Sequence, residues 1–174
     1  MSEGDRLRHL LDREAIRELG MLYSRAIDRH DIALLRDLYT EDATDSHGDT
    51  YDGPASGYCD FIERAFPHMP YSGHHICNHL VSVEGDEGEG EIYALAWHVI
   101  PDGAGGRLED FMAVRYIDNY RRSADGKWRF AKRVVTYDLK IRRPFTGGGL
   151  MGQGADDPSY SACAQSLFRR GARG

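Results

Sequence analysis

Only three cysteines occur in the 174 residues, Cys59, Cys77 and Cys163. Their odd number and the lack of Cys-x-x-Cys spacing argue against both a disulfide framework and a zinc knuckle. The chain also lacks a basic stripe. Acids and bases are interspersed and the net charge is −6, so a nucleic-acid backbone has nothing to follow. No apolar run approaches the roughly 20 residues of a membrane helix, and Met1-Ser-Glu-Gly-Asp-Arg-Leu-Arg-His has no apolar core of a signal peptide. A soluble, cytoplasmic protein without nucleic-acid or membrane partners is the expectation. The run Thr146-Gly-Gly-Gly-Leu-Met-Gly-Gln-Gly is not a phosphate loop, because it lacks the closing Lys-Ser/Thr and does not follow the first strand of a βαβ unit. With no nucleotide or metal fingerprint, no cofactor is expected.

What the chain does have is 41% apolar content, enough for one real core, and a single change in apolar period. Leu7, Leu11, Ala15, Leu19, Leu22 and Ala26 recur every three to four residues, the face of a helix of about five turns. Asp31 can cap a second helix carrying Leu34, Leu35 and Leu38. Gly53-Pro54 opens a third with Tyr58, Phe61, Ile62 and Ala65, and Pro67 and Pro70 end helical structure. From His74 onward the pattern is strand-like: 74–84, 91–100, 107–121 and 128–141 are rich in Val, Ile, Tyr, Phe and Trp. Gly85-Asp86, Pro101-Asp102-Gly103 and Asp125-Gly126 supply the turns. Helices first and a long antiparallel meander afterwards predict an α+β domain over 1–142, with a strongly bent sheet wrapped around the helices. Residues 143–174 read as a Gly-rich linker and a short helix capped by Asp157-Pro158, carrying Tyr160, Cys163, Ala164, Leu167 and Phe168. A lid over a pocket and a contact with a second subunit are the two uses open to that helix. Self-association as a dimer or trimer is expected.

The residues that carry chemistry lie in Tyr23-Ser-Arg-Ala-Ile-Asp28 and Gly73-His74-His75-Ile-Cys-Asn78-His79. An aspartate at the carboxyl end of a helix opposes the helix dipole at a cost of about 0.3–1 kcal/mol, so Asp28 needs a partner elsewhere or serves only to cap the next helix. A carboxylate bonded to an imidazole fixes its tautomer and makes the other ring nitrogen a base near neutral pH. His74 is the candidate partner, with a core histidine satisfied by backbone as the plainer reading. If no bulge intervenes, His74, Ile76, Asn78 and Leu80 share one strand face and His75, Cys77, His79 and Val81 the other. The second set has metal-ligand residue types, but alternate strand residues stand about 6.5–7 Å apart, too far to surround one ion without a bend. On the next strand Ala94, Ala96 and His98 share a face that leaves room for a ligand. On the third, Asp110, Met112, Val114 and Tyr116 do so. Tyr23 is either a core tyrosine or a phenol that bonds a substrate oxygen. Arg115, Arg121, Arg122, Lys132 and Arg133 read as a solvated sheet face.

The order of elements, the acid ending the first helix, the His-x-x-x-Asn of His74 and Asn78 and the Gly-Lys-Trp-Arg-Phe opening the last strand together resemble the SnoaL-like branch of the nuclear transport factor two-like superfamily, over about residues 5–142. The resemblance implies a cone with a deep pocket. Among that superfamily's members are scytalone dehydratase, bile acid 7α-dehydratase, hexachlorocyclohexane dehydrochlorinase, ketosteroid isomerase, a formaldehyde-releasing lyase and non-catalytic subunits. Carried over residue by residue, it implies Asp28 and His74 as the acid and base of a dyad. Tyr23 matches the tyrosine of the bile acid enzyme, and His98 falls near a second histidine of scytalone dehydratase. The expected activity is cofactor-independent proton abstraction and elimination on a small hydrophobic, aromatic or polycyclic molecule. His74, Asp28 and Tyr23 would be catalytic, and His98, Asn78, Asp110, Ala96 and Met112 would bind substrate. An isomerase using Asp110 as base and a ligand-binding subunit without catalysis are the alternatives.

Overall fold

The computed structural model describes residues 2–150 and 154–173. Helix α1 (Glu3–Asp28) starts from a capping box, in which the Ser2 side chain accepts from Asp5 N–H and the Asp5 side chain accepts from Ser2 N–H, satisfying two otherwise orphaned donors. Its apolar stripe is buried only from Ile16 onward; Leu7, Leu10 and Leu11 remain exposed. Asp31 caps α2 (Ile32–Asp37), accepting from Leu34 N–H. Pro54 precedes α3 (Ala55–Ala65), and Pro67 falls in the 3₁₀ turn that ends it.

The meander forms as expected: β3 (Tyr71–Glu84), β4 (Glu87–Pro101), β5 (Arg107–Arg122) and β6 (Trp128–Pro144) are successive antiparallel neighbours. Two strands come in addition, β1 (Tyr39–Ser46) and β2 (Asp52–Pro54), giving the order β2-β1-β6-β5-β4-β3. β1 runs parallel to β6 and antiparallel to β2. The result is a mixed α+β fold whose six-stranded curved sheet is not closed. Its concave face packs on α1 and α2 through Ile16, Leu19, Leu35, Ile92, Tyr120 and Phe130, all wholly buried, each contributing about 1.5–3 kcal/mol by leaving water. The convex face leaves Tyr93, Leu95, Trp97, Ile117 and Leu139 exposed.

Two bulges redirect side chains. In β3 the register slips between Ile76 and His79, so that His79, Val81 and Val83 turn inward while Cys77, Asn78 and Leu80 are exposed. The His-x-Cys-x-His set is thereby split. In β6 Ala131 has no partner on β5, since Tyr120 faces Phe130 and Asn119 faces Lys132. An extra residue on one strand reverses the alternation beyond it. Arg133, expected on the solvated face, is 0% exposed.

The tail differs from expectation in extent. Asp157 does cap a helix, α4, but it spans only Pro158–Ala162, and a 3₁₀ turn follows at Ser166–Phe168. Residues 151–153 of the glycine run lie outside the described residues. The tail folds back on α1 and α2: Arg25 donates to Ser159 and to the Phe168 carbonyl, Arg29 pairs with Asp157, and Arg173 pairs with Asp37.

Candidate active site

α1 delivers Asp28 against the first residues of β3. Its carboxylate accepts from Ser72 Oγ (2.8 Å), from the His74 backbone N–H (2.8 Å) and from His74 Nδ1 (2.6 Å). These donors explain why an acid is tolerated at the negative end of a helix. Burial pushes the Asp28 carboxyl up, but the His74 ring and the hydrogen bonds outweigh it, leaving the group below its usual value. Because Nδ1–H is committed to Asp28, Nε2 is the nitrogen that carries the lone pair of the neutral ring.

That ring faces a cavity of about 280 Å³ with a predominantly apolar wall: Ile62, Met69, Ala96, Met112, Val114 and Val135 contribute, and Tyr23, His98 and Asp110 share the lining. The sequence-predicted residues other than Asn78 therefore converge, with Asp28 just behind His74. Asn78 does not line this cavity; the β3 bulge points it to solvent. No described tail residue lines it either. A larger groove of about 600 Å³ runs between α1 and the tail, but its Asp12, Arg122 and Arg173 are engaged in ion pairs.

His98 is neutral in this setting. Burial, with the neighbouring His74 adding to it, brings its pKa down to about 3, and its Nε2 is buried without a hydrogen-bond partner among the described residues. Asp110 is 4% exposed; Oδ2 accepts from Arg142 at 2.7 Å with Lys140 at 3.6 Å, while Oδ1 has no partner among the described residues. His98 Nε2 and Asp110 Oδ1 are two polar atoms left to a ligand in an otherwise apolar wall.

Sequence reasoning missed the opposite wall. The Asp45 carboxylate, 1% exposed, is bonded to His47 Nδ1 and accepts from Tyr39 OH at 2.7 Å. His47 Nε2 lies 3.2 Å from Tyr58 OH and 3.3 Å from Tyr23 OH, and the two phenols are 2.6 Å apart. His47, Tyr23 and Tyr58 all line the cavity. Burial holds both phenols well above their ordinary pKa, so they stay protonated and able to donate. Beneath them Arg133 makes a two-pronged pair with Asp118 at 2.8 Å and lies 4.2 Å from the Tyr23 ring, 4.3 Å from Tyr116 and 4.1 Å from Phe130. A desolvated guanidinium between aromatic faces fixes the rings that form this wall.

Similar architectures are known. A hexachlorocyclohexane dehydrochlorinase from Novosphingobium barchaimii matches with a TM-score of 0.69 at 23% identity, over 86% of this chain and 99% of that one. A scytalone-dehydratase-like protein from Novosphingobium aromaticivorans matches with a TM-score of 0.68 at 19% identity, over 85% and 95%. A protein from Kribbella flavida matches with a TM-score of 0.67 at 24% identity, over 75% and 93%. At such identities these likenesses establish the fold. No curated protein matches the chain. The SnoaL-like domain family matches residues 8–134, and on that match the chain belongs to the SnoaL-like family of the nuclear transport factor two-like superfamily.

Proposed function

We propose that the protein is a cofactor-independent lyase that removes a proton and expels a leaving group from a small aromatic molecule. The observation that carries this reading is the Asp28–His74 pair, its Nδ1 held at 2.6 Å and its ring lining an apolar cavity. His74 Nε2 takes the proton from an acidic C–H or from a hydroxyl. Asp28 keeps the ring in the reactive tautomer and stabilises the imidazolium that results. Tyr23 faces the departing oxygen, and His98 and Asp110 bond polar groups of the substrate. A cavity near 150 Å³ holds benzene, so about 280 Å³ suits one or two rings. The dehydratase-like and dehydrochlorinase neighbours support an eliminating chemistry. An isomerase using Asp110 is less well supported, because that carboxylate is already engaged by Arg142 and Lys140.

The test is a panel of one- and two-ring aryl compounds bearing a β-hydroxyl or a hydroxymethyl group, assayed for alkene or enone formation and for release of water or formaldehyde. Elimination by the wild type that disappears in a folded His74→Ala variant supports the proposal. Deuterium relocated within a product that has lost nothing would instead favour the isomerase.

A further inference from the structure

One cavity is faced by two carboxylate–imidazole pairs, and an elimination needs only one base. Asp45–His47 has no access to solvent through its carboxylate, which is buried and capped by Tyr39. It also does not end at the imidazole: His47 Nε2, Tyr58 OH and Tyr23 OH form a closed triangle with sides of 3.2, 3.3 and 2.6 Å. The His47 ring is stacked on Tyr58 with centroids 4.4 Å apart. Its backbone is pinned by the turn that joins β1 to β2, donating to the Tyr51 carbonyl at 2.7 Å and accepting from Thr50 N–H at 3.0 Å. A purely structural histidine on a strand end does not require two buried phenols at its distal nitrogen.

Counting hydrogens shows what the triangle does. With His47 neutral and Nδ1–H committed to Asp45, the two phenolic hydrogens are both consumed inside the triangle, one between the tyrosines and one on Nε2. A proton added to Nε2 reverses that last bond. The imidazolium then donates to a phenol oxygen, one phenolic hydrogen serves the tyrosine pair, and the other is released toward the cavity. In that state the buried Asp45 carboxylate, bonded to Nδ1, is the counter-charge beside the ring. His98, the remaining imidazole of the lining, cannot take this part, because burial keeps it neutral.

We infer that Asp45–His47 is the proton reservoir for the leaving group, acting through Tyr23 or Tyr58, and that the substrate therefore expels a hydroxyl, an oxygen that must be protonated as it departs. This deepens, and rests on, the reading of His74 as the base. The step balances. The C–H or O–H proton passes to His74 Nε2 and its electron pair enters the new double bond. The C–O pair leaves with the phenolic proton as water. The phenol is re-protonated from His47 Nε2, directly or through the other phenol, and His47 ends neutral with Nδ1–H still on Asp45. His74 returns its proton to solvent and His47 regains one. In this scheme the tyrosine that touches the oxygen is catalytic, and His47 is the positioning and relay residue behind it.

Two probes separate base from reservoir: the aldol of benzaldehyde with acetone, which must lose hydroxide, and the β-aryloxy ketone formed by adding para-nitrophenol to methyl vinyl ketone, which loses a stable aryloxide after removal of a comparably acidic C–H beside its carbonyl. In His47→Gln, checked for wild-type melting, the hydroxide-to-aryloxide rate ratio is expected to fall by about 50-fold or more, the scale of a lost general acid. In His74→Ala both rates fall and the ratio changes by less than about threefold. A ratio in His47→Gln within about threefold of wild type overturns the reservoir and leaves the base reading intact, whereas undiminished rates in His74→Ala overturn the base. Should neither probe be turned over, absorbance titration with para-nitrophenolate decides. Binding weakened about tenfold or more in His47→Gln supports the inference, and unchanged binding overturns it.

Discussion

Two imidazoles lean on buried carboxylates and face the same cavity, yet they are assembled differently. Asp28 and His74 are 46 residues apart and meet because α1 ends where β3 begins; three donors from β3 converge on one carboxylate. Asp45 and His47 are two apart at the end of one strand, and their partners Tyr39, Tyr23 and Tyr58 come from three elements. The first pair has an open ring nitrogen and few phenols. In the second, the distal nitrogen is already occupied by hydroxyls. An open nitrogen suits a base and an occupied one suits a relay, so under the proposed function what meets Nε2 decides which part each pair takes.

The comparison can be broken most forcefully at His74. Replacement by alanine should lower turnover on the aryl panel by about 10²–10⁴-fold, the usual worth of a positioned general base, with near-wild-type melting measured by circular dichroism. Next comes the support under the second pair. Arg133→Met leaves Asp118 buried and unpaired and should cost about 3–5 kcal/mol in denaturant unfolding, whereas Arg133→Met combined with Asp118→Leu should cost less than the single change. A double variant as unstable as the sum of both singles would contradict this view of the pair. Asp28→Ala removes the acceptor of the His74 backbone N–H and of His74 Nδ1–H, and should cost about 1–3 kcal/mol in the same assay.

Acid should act on the walls to a smaller degree. The His98 pKa is depressed to about 3 from 6.5 and that of His79, by burial and then the Arg133 charge, to about 4. Each is neutral in the fold and takes a proton more readily unfolded, so stability is full above about pH 6.5 and declines as pH falls toward the folded values. The slope is at most about 1.4 kcal/mol per pH unit per group. His98→Gln should flatten part of it in urea titrations between pH 6 and 4, about the range these values bracket. The lowered Asp28 carboxyl adds stability above its unfolded value of 3.8 that disappears only as pH drops through its lower folded value. Asn78→Ala should change neither stability nor turnover beyond about 0.5 kcal/mol, as befits an exposed side chain. A marked loss of turnover would return Asn78 to the site.

Legibility in the sequence followed locality. The period of α1, the Asp31 cap and the alternation of β4 and β5 are local signals, and they located Asp28, Tyr23, His98, Asp110, Ala96 and Met112 on the faces they occupy. β1 was hidden because Tyr39-Thr-Glu-Asp-Ala-Thr-Asp-Ser46 is largely polar and is held as a strand by the short β2 on one side and by β6, more than eighty residues away, on the other. With β1 went Asp45 and His47, although an acid and a histidine two apart would share a face of any strand. Asn78 and Arg133 were misplaced for a different reason. Asn78 lies within the β3 bulge and Arg133 just beyond the β6 bulge, and one inserted residue reverses every following side chain without leaving a compositional mark.

Nitrogen NMR of imidazole-labelled protein, with His74→Ala providing the assignment, addresses the Asp28–His74 pair without a substrate. The account predicts that neutral His74 carries its proton on Nδ1 and its lone pair on Nε2, and that Asp28→Asn disturbs this tautomer. A neutral His74 protonated on Nε2 in the wild type would contradict it.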